Sequence, residues 1–565
     1  MNRLLLLLFV CALGCKEPNG IDYSVSKAKT NNKPSLQVKM SFDADPSGET
    51  VLLFQDKAWG EENLHDVLTD IDSEEASEII MEKDSNRIRL KHPKGLKTLQ
   101  VSYKIHQDTE GALTTRSTYR PVIQEEYFHV FSHSFFMLPR HYVPDSQAHF
   151  NVSITWEGFD EDFSLVNSFD TNNRQQTLQH TTEQYFHNAI FTGGDYRTHT
   201  MDINGNRAVL GIRGDWEVFQ DSTLVDVLKE TLEAQRDFWK DHSQEYFAVT
   251  MTPTVQERGS SFQGTGLTDS FSTSASNNEY LDPQGIVYLF NHELQHNWIG
   301  HLIKNDNEEE QYWFSEGFTD YYTIKNVAKH KIYDLDEGYF IREFNEMIKA
   351  LFASPVKDAP NSEINYDNFW SNPDYSKLPY RRGAVFAFYL DQKIRKDTNG
   401  AQSLDDLMIT LKQDAEKNDQ LITHSYFIET ANAFLEDDLT PFFNTHIEEG
   451  QLFDLKGIFE SFGYEYSPTA EVFDLGFTFS EDDLYVSAID EASKAYAAGL
   501  RQGDRITLRS YYYNRPDKEA EFKVMRGNEE IPIRYFPAKK IPLPLLSDTP
   551  DNRNRLGFSE NSNSD

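Results

Sequence analysis

The segment His292-Glu293-Leu294-Gln295-His296 sets two imidazoles four residues apart with a carboxylate between them. On a helix, positions i and i+4 lie one above the other, so both rings can reach a single metal ion while Glu293 stands beside the position left open. A catalytic zinc takes three protein ligands and one water, and the pattern therefore demands a third donor. Glu316 supplies it, with nineteen residues between it and His296, within Tyr312-Trp313-Phe314-Ser315-Glu316-Gly317-Phe318. Its aromatic neighbours imply burial, and a buried carboxylate needs a partner. Asp320, one turn further on, can accept the second ring N–H of a ligating histidine and so fix its tautomer. His129 and His133 also share a face at four residues' spacing, but they sit in a β-like stretch without a third donor and read as structural.

These groups need elements to hold them. Asp282-Pro283 reads as a helix cap with proline in the first turn, opening a helix through both histidines toward Gly300. The segment around Glu316 reads as a second apolar helix packed antiparallel to it. Leu224, Leu228, Leu232, Gln235 and Trp239 form one helical stripe, Ser403-Leu404-Asp405-Asp406 is a capping-box-like start, and residues 380–449 read as mostly helical. Upstream the period is two, as in Leu36-Val38-Met40-Phe42 and Phe150-Val152-Ile154-Trp156, which predicts antiparallel strands buried on one face over residues 35–214. Residues 215–350 hold the metal motif, residues 351–464 are helical, and residues 465–545 return to short strands and turns. Residues 546–565 are polar without periodicity and are expected to be disordered.

The chain has 565 residues, enough for several buried cores, and a formal charge of −37. A field of that sign repels phosphate backbones and anionic surfaces, which argues against nucleic acid as a partner. The first fifteen residues carry a positive start and an apolar run too short to span a bilayer, the signature of an export signal. Ala12-Leu13-Gly14-Cys15 resembles a bacterial lipobox, which makes Cys15 the expected lipidation residue and residues 16–34 a tether. The expected location is the cell envelope, periplasmic or at the outer-membrane surface, with membrane contact through the lipid alone. Cys11 and Cys15 are the two cysteines, so the mature chain has no pair with which to form an internal disulfide.

HELQHNWIG followed by WFSEGFTDYY resembles the gluzincin metallopeptidases, both the aminopeptidase N type and the glycyl aminopeptidase type that ends in a PDZ domain. The resemblance implies a multidomain fold: an N-terminal β-sandwich-like domain, a thermolysin-like α+β zinc peptidase domain with a helical C-terminal part, and a PDZ-like domain over 465–545. It implies a zinc cofactor held by His292, His296 and Glu316, with Glu293 as general base and Asp320 behind a ligand. Lys377-Leu378-Pro379-Tyr380-Arg381-Arg382-Gly383 is similar to the segment in which these families place a catalytic tyrosine, which assigns that role to Tyr380. Asp474-Leu475-Gly476-Phe477 and Ala497-Ala498-Gly499-Leu500 resemble PDZ text, whose loop can hold a peptide carboxylate. One departure stands out. Where the family places a glutamate that grips the substrate amine, this chain reads Gly264-Thr265-Gly266-Leu267-Thr268-Asp269, leaving Gly264, Gly266 and Asp269 as candidate substrate contacts. The expected function is peptide-bond hydrolysis at zinc, as an aminopeptidase acting on peptides or proteins. The alternatives are an endopeptidase of the same chemistry and a non-catalytic peptide-binding surface lipoprotein.

Overall fold

Leu36, Val38, Met40 and Phe42 alternate inward along the strand Lys33–Asp43, which pairs antiparallel with Gly20–Thr30 on one side and Thr98–His106 on the other. The computed structural model describes residues 20–82, 85–257, 259–513 and 515–558; the export signal and Cys15 lie outside the described residues. The sheet runs in the order Gln175–Thr181, Phe150–Glu157, Gly20–Thr30, Lys33–Asp43, Thr98–His106 and Leu68–Asp72. Its inner face shares one core with two four-stranded sheets. The tether expected over 16–34 is therefore corrected from residue 20 onward. Gly20–Thr30 is an inner strand with Ile21, Tyr23 and Val25 buried, paired parallel to Phe150–Glu157. Asn31 and Asn32, both left-handed at φ 51° and 64°, close the hairpin that places it there.

His129 lies on the strand Tyr127–Phe131 and His133 in the turn Ser132–Ser134. Both are buried, their rings flanking Phe131. A five-stranded sheet follows, in the order Arg197–Ile203, Asn206–Ile212, Tyr246–Thr254, Ser270–Ser276 and Phe262–Leu267. This moves a domain boundary. The chain divides into one unit of residues up to Val218 with Ser243–Leu281, and a second of Phe219–His242 with the chain from Asp282 onward. The segment 215–350 is thus split, because Tyr246–Thr254 takes its backbone partners from Asn206–Ile212 and Ser270–Ser276.

The second unit is helical, with strands at its C-terminal end. We label its main helices α1 (Asp221–Trp239), α2 (Pro283–Gln295), α3 (Glu308–Ser315), α4 (Gly317–His330), α5 (Glu337–Ala353), α6 (Pro373–Asp397) and α7 (Leu404–Asn418). The predicted stripe of α1 is buried from Leu224 to Trp239. The Ser403 capping box is present at α7. Lys325 of α4 lies 3.5 Å from Asp391 of α6 and 2.6 Å from Asp405 of α7, tying three helices through a buried ammonium, the buried Asp391 and the half-buried Asp405. The C-terminal module closes on Val486, Leu500, Phe522, Val524 and Ile533. In its Leu-Gly-Phe loop the Gly476 N–H already donates to the Asp474 carboxylate at 2.6 Å, the kind of group that a peptide terminus would bring. The expectation of disorder over 546–565 is corrected as far as residue 558, and residues 559–565 lie outside the described residues. Thr549 and Pro550 cap and open the helix Pro550–Leu556, here α8, and Arg553 reaches back to Asp336 at 2.7 Å.

Candidate functional site

The Asp282 carboxylate accepts from the Gln284 N–H at 3.0 Å, Pro283 fills the first turn, and Ile286, Val287, Phe290 and Leu294 bury one face of α2. His292 lies in the last turn of that helix and His296 just beyond it. The His296 Nδ1–H donates to the Ile299 carbonyl at 3.0 Å, and His292 Nδ1 stands 2.9 Å from Asp320 Oδ1, which leaves the Nε2 atoms as the free lone pairs. Those two nitrogens are 3.3 Å apart. Glu316 occupies the kink between α3 and α4, and its Oε2 lies 3.4 Å from one Nε2 and 3.6 Å from the other.

The trio fits a metal on two counts. Glu316 Oε2 is buried and receives no hydrogen bond, although it faces two imidazole nitrogens. The spacings also match: bonds of about 2.0–2.1 Å in a tetrahedron give donor–donor edges of about 3.3–3.4 Å. Among the described residues these three form the group with metal-ligand proximity. Charge agrees with geometry. Burial alone would raise the Glu316 carboxyl, yet the adjoining imidazoles, His296 foremost, hold it well below the usual carboxylate range. Burial likewise opposes a proton on His292, but Asp320 and Glu316 outweigh it and push that histidine up to about 10. The donor set fits a cation.

Tyr380 comes from α6, its ring parallel to that of His292 at 5.9 Å. Burial first, then the nearby Glu316, raise its phenol well above the ordinary tyrosine value, so at neutral pH it is a hydrogen-bond donor. The Lys377 ammonium sits 4.0 Å over that ring. The helix starts earlier than the Lys377 opening read from sequence, at Pro373, with Asn372 as its cap, and Pro379 is an interior residue.

Three contributors escaped sequence reasoning. The Tyr288 hydroxyl, one turn before His292, donates to Asp320 and holds the carboxylate toward the imidazole. Gly317 and Gly383 meet backbone to backbone where α6 crosses the α3–α4 kink. A Cβ on Gly383 would sit 2.0 Å from the Trp313 carbonyl oxygen, and one on Gly317 would sit 2.4 Å from the Gly383 Cα. The available signal was positional, since each glycine follows a site residue: Gly317 directly after Glu316, Gly383 one turn after Tyr380.

The remaining candidates belong to the first unit. Gly264 and Gly266 lie on the strand Phe262–Leu267 of the first unit, and Asp269, at φ 43°, turns the hairpin that follows. Its two carboxylate oxygens are engaged within that unit, by the Tyr185 hydroxyl at 2.5 Å and Gln244 Nε2 at 2.9 Å.

Residues 268–445 match the family model described as Peptidase family M1 domain, which spans His292, His296, Glu316 and Tyr380. The chain is 34% identical over 118 residues to leucine aminopeptidase 2 of Ajellomyces capsulatus, covering 20% of this chain and 18% of that one. It is 31% identical over 112 residues to a leukotriene A-4 hydrolase homolog of Botryotinia fuckeliana, covering 19% and 16%. The matched stretch spans less than a fifth of the length of these curated relatives. The fold is similar to that of an aminopeptidase N family protein from Idiomarina loihiensis, with TM-score 0.71 and 14% identity over 95% of this chain and 100% of that one. Of the two types the sequence resembled, the aminopeptidase N type is the one represented.

Proposed function

We propose that this chain is a zinc metallopeptidase that removes residues from the N-termini of peptides. The observation that carries the reading is the convergence of His292 Nε2, His296 Nε2 and an orphaned Glu316 Oε2 at tetrahedral spacing, inside a segment matching a peptidase family. These residues would hold the ion, which when bound supplies a Lewis acid and brings a water's pKa toward neutrality. Glu293, beside His292 on α2, takes the proton of the attacking water at its carboxylate and returns it to the departing amine nitrogen. The Tyr380 hydroxyl donates to the oxyanion as it forms, an interaction worth most in the transition state. Asp320, held by Tyr288, keeps His292 in the tautomer that leaves Nε2 bare.

An endopeptidase of the same chemistry is the second reading, favoured by Thr268 standing where the family's amine-gripping glutamate is expected. Lipid attachment at Cys15 and a cell-envelope location belong to the same proposal; incorporation of labelled palmitate that Cys15→Ser abolishes is its test. For the C-terminal module we propose a peptide carboxylate as ligand only in competition with Asp474, so that Asp474→Asn should strengthen such binding. The function itself is tested by mass spectrometry of a mixed peptide library incubated with the purified protein and with Glu293→Gln. Stepwise loss of N-terminal residues supports the aminopeptidase, internal cuts support the endopeptidase, and undiminished cleavage by Glu293→Gln refutes the mechanism.

A further inference from the structure

The helix Tyr366–Ser371, six residues immediately upstream of α6, carries two large aromatic rings into solvent. Trp370 is 69% exposed and Tyr366 is 57% exposed, the latter four residues earlier on the same face. Between them, at three residues' spacing from Trp370, the exposed Asp367 shares that face. Covering such rings with a ligand would be favourable by the area removed from water. The helix is not free to swing away. Asn365 and Asn368 close a capping box at its start, and the buried Phe369 stacks on Tyr312 of α3 at 4.0 Å. Trp370 packs against Phe369 at 5.3 Å, so two ring contacts connect it to the helix whose end presents Glu316. The other end of the segment runs into α6 and Tyr380.

We propose that Tyr366, Asp367 and Trp370 form a ledge that holds a basic side chain of the peptide substrate, arginine above lysine. The inference rests on the metallopeptidase reading and deepens it. Two π faces beside a carboxylate are the chemistry of cation recognition, and a planar guanidinium stacks on an indole while its edge donates to the acid. Charge complementarity points the same way, for the chain carries −37 overall and draws cationic peptides to its surface. The next cation along the chain, Lys377, is committed to the Tyr380 ring and does not neutralise Asp367. Removal of Trp370 leaves the stacked Phe369–Tyr312 pair in place, so the ledge is separable from the fold.

The test uses decapeptides that differ at one position only, arginine against citrulline, which keeps size and planarity while removing charge. Cleavage is followed with the wild-type protein, Trp370→Ala, Asp367→Asn and, as a control for loss of an exposed aromatic elsewhere in the same unit, Tyr485→Ala. Binding of the same peptides to Glu293→Gln, with and without Trp370→Ala, is measured by calorimetry. At the position that reaches the ledge, arginine should raise kcat/KM about 5- to 10-fold over citrulline through KM, and Trp370→Ala and Asp367→Asn should each remove most of that preference. Equal losses for both peptides, or an arginine preference untouched in both variants, overturn the proposal. Arginine-selective binding that needs Trp370, in a protein that cleaves no peptide, sustains the ledge and sinks the metallopeptidase reading instead.

Discussion

Replacing Gly383 by alanine perturbs the distance between Tyr380 and the histidine–glutamate trio without touching any of them. The new Cβ would lie 2.0 Å from the Trp313 carbonyl oxygen and 2.8 Å from the Gly317 Cα. Carbon does not approach these atoms within about 3.0 Å, so α6 must withdraw from the α3–α4 kink by about 1 Å. Both clashing groups are backbone, and no side-chain rotation relieves them. Overpacking on this scale costs about 1–3 kcal/mol, which lowers the melting temperature but leaves a folded protein. Tyr380 sits one turn before Gly383 on the same helix and moves with it. A misplacement of about 1 Å in a reacting constellation costs on the order of 100-fold in rate. The expected result is therefore a kcat reduced by about two orders of magnitude, with zinc stoichiometry preserved, because none of the three donors lies on α6. The assay is turnover of a saturating peptide well below the melting temperature, beside elemental analysis of the purified variant. A folded, zinc-loaded Gly383→Ala protein within threefold of wild-type turnover would refute the claim that this crossing sets the position of Tyr380. Loss of zinc in step with activity would show that the crossing fixes the donors rather than the tyrosine.

Asp320→Asn should weaken zinc binding by about 10- to 100-fold in competition with a chromophoric chelator, with Tyr288→Phe lowering affinity less, because the lost hydroxyl bonds the carboxylate while the ring stacked on His292 is kept. Stripping the ion with a chelator should lower the melting temperature reversibly, since an ion at roughly a thousand times its Kd stabilises the native state by about 4 kcal/mol; an unchanged melt would speak against a bound metal. Acid should act on the first unit through buried neutral histidines. Burial lowers His129 to about 4 and, with repulsion from His187, lowers His133 to about 3, both from 6.5. The unfolded chain takes up these protons first, so the stability they contribute is complete above pH 6.5 and is lost as pH falls toward 4 and then 3. For His129 alone the loss is about 3 kcal/mol. Urea melts followed from pH 7 to pH 4 should show that slope, and His129→Gln should flatten it; a parallel decline in the variant would remove His129 as the cause.

The metal-binding pattern was legible because its geometry is local. A helix sets residues four apart on one face whatever surrounds it, so His292 and His296 could be paired from spacing alone, and Asp282-Pro283 announced where that helix begins. Burial of Glu316 followed from its aromatic neighbours. Other elements were misread because their local text is ambiguous. Gly20–Thr30 has only three strongly inward residues in a polar setting, and it becomes a strand because Lys33–Asp43 and Phe150–Glu157 satisfy its backbone on both sides. The Pro550–Leu556 helix carries a good cap but no long apolar stripe, and its place is decided by Arg553 reaching Asp336 and by Asn552 bonding the Glu465 carbonyl.

The sequence by itself determined which groups can share a helix face, which residues cap, and which side chains must be buried, since those properties depend on neighbours within a turn or two. Only the tertiary structure decided that Asp269 accepts hydrogen bonds from Tyr185 and Gln244, that Gly317 and Gly383 touch, and that Trp370 faces water while Phe369 does not. The first two join residues far apart in the chain, and the third rests on Phe369 reaching Tyr312. The free energy of such an approach comes from shape and excluded volume across two elements, a quantity that neither segment encodes alone.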